Sequence, residues 1–183
     1  MTNRVATEIQ YLECLAQDPA ASSGVWDILK LVDQEFVPPL SAREGTKDVV
    51  FGKDSKVIAE PHQYFATMSQ QPVFLARIGP EIAGFLSFRR DYPYDAAAFR
   101  SSAYVTTIAV APAFRGRGVA NALYEAIEDY VRQAEPNGIV SVRSWSSNSS
   151  HLRLLESRGY ETRLQLSEDR GPGVDTVIVA KAV

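Results

Sequence analysis

The chain predicts an α/β (α+β) sandwich in which helices flank one mixed sheet. Three observations carry this expectation. Strand-type and helix-type runs follow one another as strand, two helices, three strands, helix, strand, helix, two strands. A length of 183 residues suits one domain that buries most of its unfolded apolar surface. Hydrophobic content of 45% and charged content of 22% are those of ordinary globular proteins, and no repeat, low-complexity tract or linker divides the chain. A single domain over residues 1–183 is expected.

The elements follow in order. Over Glu8–Leu15, Ile9, Tyr11 and Glu13 alternate with Gln10, Leu12 and Cys14, as on a strand; Asp18, Pro19 and Ser22 then punctuate it. From Ser23, Val25, Leu29, Val32 and Phe36 recur at helical spacing until Pro38-Pro39, which supply no amide donors and disfavour helix before them. Val37–Ser41 is therefore a loop, Arg43–Lys56 a polar stretch, and Pro61–Ser69 a short helix. Val73–Ile78 and Ile82–Arg89 read as strands joined by Gly79-Pro80-Glu81. Asp91–Arg100 reads as a loop with room for a helical turn, whose Tyr92 and Tyr94 either line an acceptor pocket or cap the core. Ser102–Val110 is rich in β-branched residues and ends at Pro112. Val119, Leu123, Ile127 and Val131 form a helical stripe that Pro136-Asn137-Gly138 stops. Ile139–Ser144 is a strand, and Asn148 or Ser149 caps a helix with Leu152 and Leu155 that ends at Gly159. Tyr160–Leu166 and Val174–Ala180 pair across Gly171-Pro172-Gly173.

Charge and cysteine usage exclude several function classes. Nineteen basic and twenty-two acidic residues are dispersed, with net charge -3, so no basic face for nucleic acid is expected. The N-terminal residues lack a signal-type apolar run, and no stretch approaches the roughly 20 apolar residues of a membrane span. Cys14 is alone, which rules out an internal disulfide or cysteine metal cluster and fits a reducing compartment. A cytoplasmic location, no metal, no nucleic acid and no membrane are the expectations.

The chemistry is concentrated in Tyr104–Val131, a strand, a short loop with two glycines, and a helix. Gly116 and Gly118 let backbone amides approach a ligand without an intervening β-carbon. The unpaired first-turn amides and positive dipole end of the following helix make an anion site, to which Arg115 and Arg117 add charge. A polyphosphate is the natural ligand. The chain has no G-x-x-x-x-G-K-[ST], and Asn121 stands where a dinucleotide fingerprint needs its third glycine. A plain structural turn would also account for two glycines.

Arg115-Gly116-Arg117-Gly118-Val119-Ala120, preceded by Ile108-Ala109-Val110-Ala111-Pro112 and followed by Asn148–Tyr160 with its terminal Gly159-Tyr160, resembles the GCN5-related N-acetyltransferase (GNAT) superfamily. The element order matches from about Glu8 onward, and the strong similarity lies in Ala103–Tyr160. The resemblance implies a mostly antiparallel seven-stranded sheet with helices on both faces and a splayed central pair, Tyr104–Val110 and Ile139–Trp145. It implies acetyl-CoA as co-substrate. The pyrophosphate would lie on Arg115, Gly116, Arg117, Gly118, Val119 and Ala120. The pantetheine arm would run along the backbone of Ile108, Ala109 and Val110, one of whose amides would stabilise the oxyanion. Asn148, His151 and Leu155 would complete the cofactor site. An amine would attack the thioester directly, with no covalent enzyme intermediate.

Many relatives carry a general-acid tyrosine where this chain has Leu155. His151, one turn earlier, is the candidate acid, with water or Tyr104 as alternatives; Thr106 could hold a water. Each also has a plain structural reading: a half-exposed helix histidine, a packing aromatic, a strand threonine. Glu35 and Asp91 are rim acids. The expected function is acetyl transfer to a primary amine of a small molecule or peptide. A non-catalytic acyl-CoA-binding module is the alternative that Leu155 keeps open, and a homodimer is left open.

Overall fold

A computed structural model describes residues 6–43, 60–94 and 99–183. The Arg43–Lys56 stretch lies, beyond Arg43, outside the described residues. Among the described residues, seven strands and four α-helices occur in the expected order: β1 Glu8–Leu12, α1 Pro19–Val32, α2 His62–Met68, β2 Val73–Ile78, β3 Glu81–Tyr94, β4 Phe99–Val110, α3 Val119–Ala134, β5 Ile139–Trp145, α4 Ser149–Ser157, β6 Glu161–Leu166 and β7 Thr176–Ala182. The strands form one mixed sheet in the order β1-β2-β3-β4-β5-β7-β6. β4 and β5 pair in parallel, while β1 with β2, β2 with β3, β5 with β7 and β6 with β7 are antiparallel.

Several expected boundaries move: α1 ends at Val32, short of Phe36, where a 3-10 turn over Asp33–Glu35 leads to extended backbone, β7 begins at Thr176 rather than Val174, and three further changes have a local reason. β1 stops at Leu12 because Leu15, fully buried, begins a 3-10 turn over Leu15–Gln17. α1 starts at Pro19, not Ser23: the Asp18 carboxylate accepts from the Ala21 amide at 2.9 Å, and proline is favoured in the first turn. The Asp91–Arg100 loop is corrected to strand at both ends, since β3 continues to Tyr94 and β4 begins at Phe99, with 95–98 outside the described residues. Alternating aromatics at 92 and 94 favour extended backbone over a loop, and Asp91 takes the local bend at φ 56°.

The chain divides into two compact units, one reaching Ser87 and resuming over Thr107–Ala126, the other holding Phe88–Thr106 and Ile127–Val183. In the first, Ala21, Val25, Ile28, Leu29 and Val32 make the buried stripe of α1 and pack in one core with Leu75, Phe85 and Ala109. Asp33, 5% exposed, accepts from the Ser41 amide and hydroxyl at 2.7 Å each and so ties the end of α1 to the loop beyond Pro38-Pro39. The buried Tyr64 hydroxyl of α2 meets Thr107 Oγ1 of β4 at 2.7 Å.

In the second unit, serines lock the start of the parallel pair. Ser141 Oγ donates to Ser101 Oγ at 2.7 Å, and the Ile139 amide donates to Ser102 Oγ at 2.9 Å. Ala103, Tyr104 and Val105 are thereby set opposite Val140, Ser141 and Val142. β5 is paired along its full length with β7, from Ile139 opposite Ala182 to Trp145 opposite Thr176. Because registered partners share a face, Tyr104, Ser141, Arg143 and Trp145 lie on one side, and Val140, Val142 and Ser144 on the other.

Candidate functional site

The glycine loop is built in the first unit. A 3-10 turn over Pro112–Phe114 ends β4, and Arg115 is extended. Gly116 and Gly118 then take φ +72° and +83°, the left-handed region in which a β-carbon is strained. A β-carbon added at either would meet no atom within 4 Å, so backbone conformation, not crowding, selects glycine, and the space over the loop is open. The Gly118 carbonyl accepts from the Ala122 amide at 3.0 Å, so the amides of Val119 and Ala120 fall in the first turn of the helix, where no intrahelical acceptor exists. This arrangement fits a pyrophosphate. Val119 is 2% exposed, so only its backbone is offered to a ligand; Ala120 is half-buried.

The two arginines are engaged within the protein. Arg115 Nη2 lies 3.0 and 2.8 Å from the two oxygens of Glu35, and its Nε donates to the Val110 carbonyl at 3.2 Å. Arg117 lies over the Phe114 ring, 5.4 Å from its centre. Both therefore shape the loop. Ile108 and Val110 are half-buried and Ala109 is 7% exposed, its side chain belonging to the core that α1 builds.

Gly84, which motif reading passed over, packs closely against the residues expected to bind the cofactor. A β-carbon there would stand 2.8 Å from the Ala109 carbonyl, 3.0 Å from Val119 Cγ1 and 3.3 Å from Val110 Cα. β3 thus approaches the backbone expected to carry pantetheine, and the first residue of α3, through the absence of a side chain. A lone glycine within the Ile82–Arg89 strand pattern is the signal that could have found it. Gly84→Val should lower stability by about 1–3 kcal/mol. It should also weaken CoA binding in the protein that remains folded, as urea melts and calorimetric titration would show.

The catalytic candidates lie in the second unit and do not converge. His151 is on α4, whose Asn148 cap accepts from the His151 amide at 3.4 Å; its Nδ1 is 3.1 Å from Ser144 Oγ. Ser144 and Tyr104 occupy opposite faces of the sheet, which separates His151 from Tyr104. The residue surface of His151 is only half covered, yet the imidazole is deep enough for desolvation to lower its pKa to about 4. The ring is neutral at neutral pH and supplies no imidazolium acid there. Tyr104 is 4% exposed and packs at a tilt against Tyr92 with ring centres 4.5 Å apart; Thr106 is half-buried. Leu155 is 1% exposed and leaves little side-chain surface for a ligand.

Asp91 is exposed and paired with Arg100 at 2.9 Å, whose hydrogen bond and charge hold its carboxyl below the usual range. NMR titration should find the His151 ring uncharged from about pH 5.5 to 8, with protonation destabilising the fold as pH falls from the unfolded histidine value toward 4. A midpoint near 6.5 would show a solvated ring.

Among the described residues, no helix is long and apolar enough to cross a membrane, and no group of three His, Cys, Asp or Glu side chains could hold a metal ion. A family model described as the acetyltransferase (GNAT) family matches residues 41–160. A search of curated proteins finds no match. Solved structures share the fold. The yncA protein of Salmonella typhimurium, determined with its cofactor acetyl-CoA, is 18% identical with TM-score 0.64, covering 97% of this chain and 94% of that one. The ribosomal-protein-alanine N-acetyltransferase of Brucella melitensis is 18% identical with TM-score 0.66, covering 96% and 99%. The ribosomal-protein-S18-alanine N-acetyltransferase of Escherichia coli is 17% identical with TM-score 0.65, covering 97% and 94%.

Proposed function

Because the chain belongs to the acetyltransferase (GNAT) family, we propose that it moves an acetyl group from acetyl-CoA to a primary amine of a small molecule or peptide. The observation that carries this reading is the open loop at Gly116 and Gly118, whose positive φ angles lead straight into the first turn of α3. Preorganised amides of that kind bind phosphate oxygens. Ile108, Ala109 and Val110 hold the pantetheine arm through backbone, since their side chains are partly or wholly committed to packing. Acetyl-CoA supplies an activated acyl group. The amine nitrogen forms the new bond to the carbonyl carbon as the carbon–sulfur bond breaks, the nitrogen releases one proton to water, and the thiolate takes one up.

That proton comes from water or from Tyr104, because a His151 ring with a pKa of about 4 holds no spare proton at neutral pH. The peptide class of acceptor takes support from structural neighbours named for ribosomal-protein alanine. Release of free thiol from acetyl-CoA, measured over an amine panel, tests the proposal. Amine-dependent release is the expected result. CoA binding without release over any amine would overturn it in favour of a binding module.

A further inference from the structure

We infer that Glu35, on the braced loop that follows α1, is a positioning residue for the cofactor loop: it fixes the Arg115 guanidinium against the end of β4 and so sets the course of residues 116–118. The inference rests on the acetyltransferase reading above and assigns a role to a residue outside the glycine motif. Arg115 Nη2 lies 3.0 and 2.8 Å from the two Glu35 oxygens, and Arg115 Nε donates to the Val110 carbonyl at 3.2 Å. One guanidinium thus joins the last residue of β4 to a loop far earlier in the chain.

A surface ion pair ordinarily contributes little, because two long side chains lose freedom to hold one geometry. Here both backbones are held already. Asp33, at the start of the 3-10 turn that ends in Glu35, accepts from the Ser41 amide and hydroxyl and closes the loop at its base. Arg43 Nη2 and Nε donate to the Pro38 carbonyl at 2.8 and 3.1 Å and brace it further along. Phe36, next to Glu35, and Phe114, next to Arg115, pack against the same buried core, which includes Leu40, Ala109 and Ala111. Each partner of the pair therefore stands beside a residue fixed in that core.

The glycine loop needs such a fixed point. Glycines at φ +72° and +83° reach conformations that strain other residues, and glycine loses more chain entropy on ordering than any other residue. At its far end the loop is pinned by the bond from the Ala122 amide to the Gly118 carbonyl. At its near end the pin is the Arg115 side chain. Amides aimed in advance need little further ordering when a phosphate arrives. Charge alone argues the other way, since a carboxylate beside an anion site repels the ligand and offsets one guanidinium. Glu35 as a mere counter-charge and Glu35 as a positioning residue therefore predict opposite signs for its removal.

Calorimetric titration of the full chain with CoA and with pantetheine decides between them, with the fold checked by thermal melts. Glu35→Ala should weaken CoA binding about three- to five-fold, the upper range for a surface pair, although it removes a negative charge. Pantetheine, which has no pyrophosphate, should bind as it does to the parent. The double variant Glu35→Ala/Arg115→Ala should bind CoA no worse than Arg115→Ala, because Glu35 acts through that side chain. In turnover the loss should appear in KM for acetyl-CoA rather than in kcat. A Glu35→Ala protein that binds CoA as tightly as the parent or tighter, losses that add in the double variant, or an equal loss toward pantetheine would overturn the positioning role while leaving the acetyltransferase reading standing. A parent that binds no CoA would sink both.

Discussion

Gly118→Val is expected to weaken CoA binding by roughly ten- to a hundred-fold, the worth of one or two charge-assisted hydrogen bonds lost from the loop. Gly118 sits at φ +83°, where a side chain costs about 1–2 kcal/mol. A branched residue relieves that strain by rotating the backbone, and rotation turns the first-turn amides away from the phosphates. Gly118→Ala should retain part of the affinity, because the β-carbon itself has open space around it. Arg115→Ala should be milder in direct charge loss and should act through the loop, since its guanidinium is bonded to Glu35 and to the Val110 carbonyl. Calorimetric titration of CoA against pantetheine separates the phosphate contribution. Equal affinity of the parent for both ligands, or a folded Gly118→Val protein that binds CoA like the parent, would remove the loop from the site.

Glu128→Ala should cost about 3 kcal/mol of stability, the scale of breaking a buried ion pair from one side. Glu128 is 4% exposed on α3 and accepts from Arg158 Nε at 3.0 Å, Arg158 Nη2 at 2.9 Å and Lys181 Nζ at 2.9 Å. Both cations are partly covered, so truncation leaves two charges in a place of poor hydration. Glu128→Gln should cost less because it keeps the shape and one acceptor.

The same network sets a pH dependence. Burial pulls the Glu128 carboxyl up, but the hydrogen bonds from Arg158 and Lys181 prevail and hold it below the ordinary range. A carboxyl depressed in the folded state contributes stability above its unfolded pKa, and that contribution is lost as pH falls through the folded value. Urea denaturation across the acid range should show a steeper loss in the parent than in Glu128→Gln. Parallel curves would show that the carboxylate adds nothing to the fold.

Legibility differed sharply between the two halves of the site. The loop was readable because glycine, arginine and a following helical stripe are local features: positions 116, 118 and 119–131 report on one another within a few residues. The destination of Arg115 was not. Its partner Glu35 is eighty residues away in the chain, and no local pattern pairs them. Element order was also readable, since period and punctuation are local, whereas the strand at Tyr92 depended on pairing across the sheet. The separation of His151 from Tyr104 followed from register, which three paired residues of β4 and β5 decide. The low pKa of His151 is set by tertiary burial and leaves no mark on its sequence neighbours.

The pairing of Arg115 with Glu35 has a consequence for how the protein senses ionic strength. A loop that offered two free guanidinium groups would attract CoA by long-range charge and release it as salt rises. Here Arg115 is paired with Glu35 before any ligand arrives, which leaves Arg117, among the described residues, as the loop's uncompensated charge and gives the proposed capture a larger share of amide contacts. If the loop binds the CoA pyrophosphate as proposed, calorimetric titration at rising salt should show only a shallow loss of affinity, and a steep loss would show that free charge governs capture.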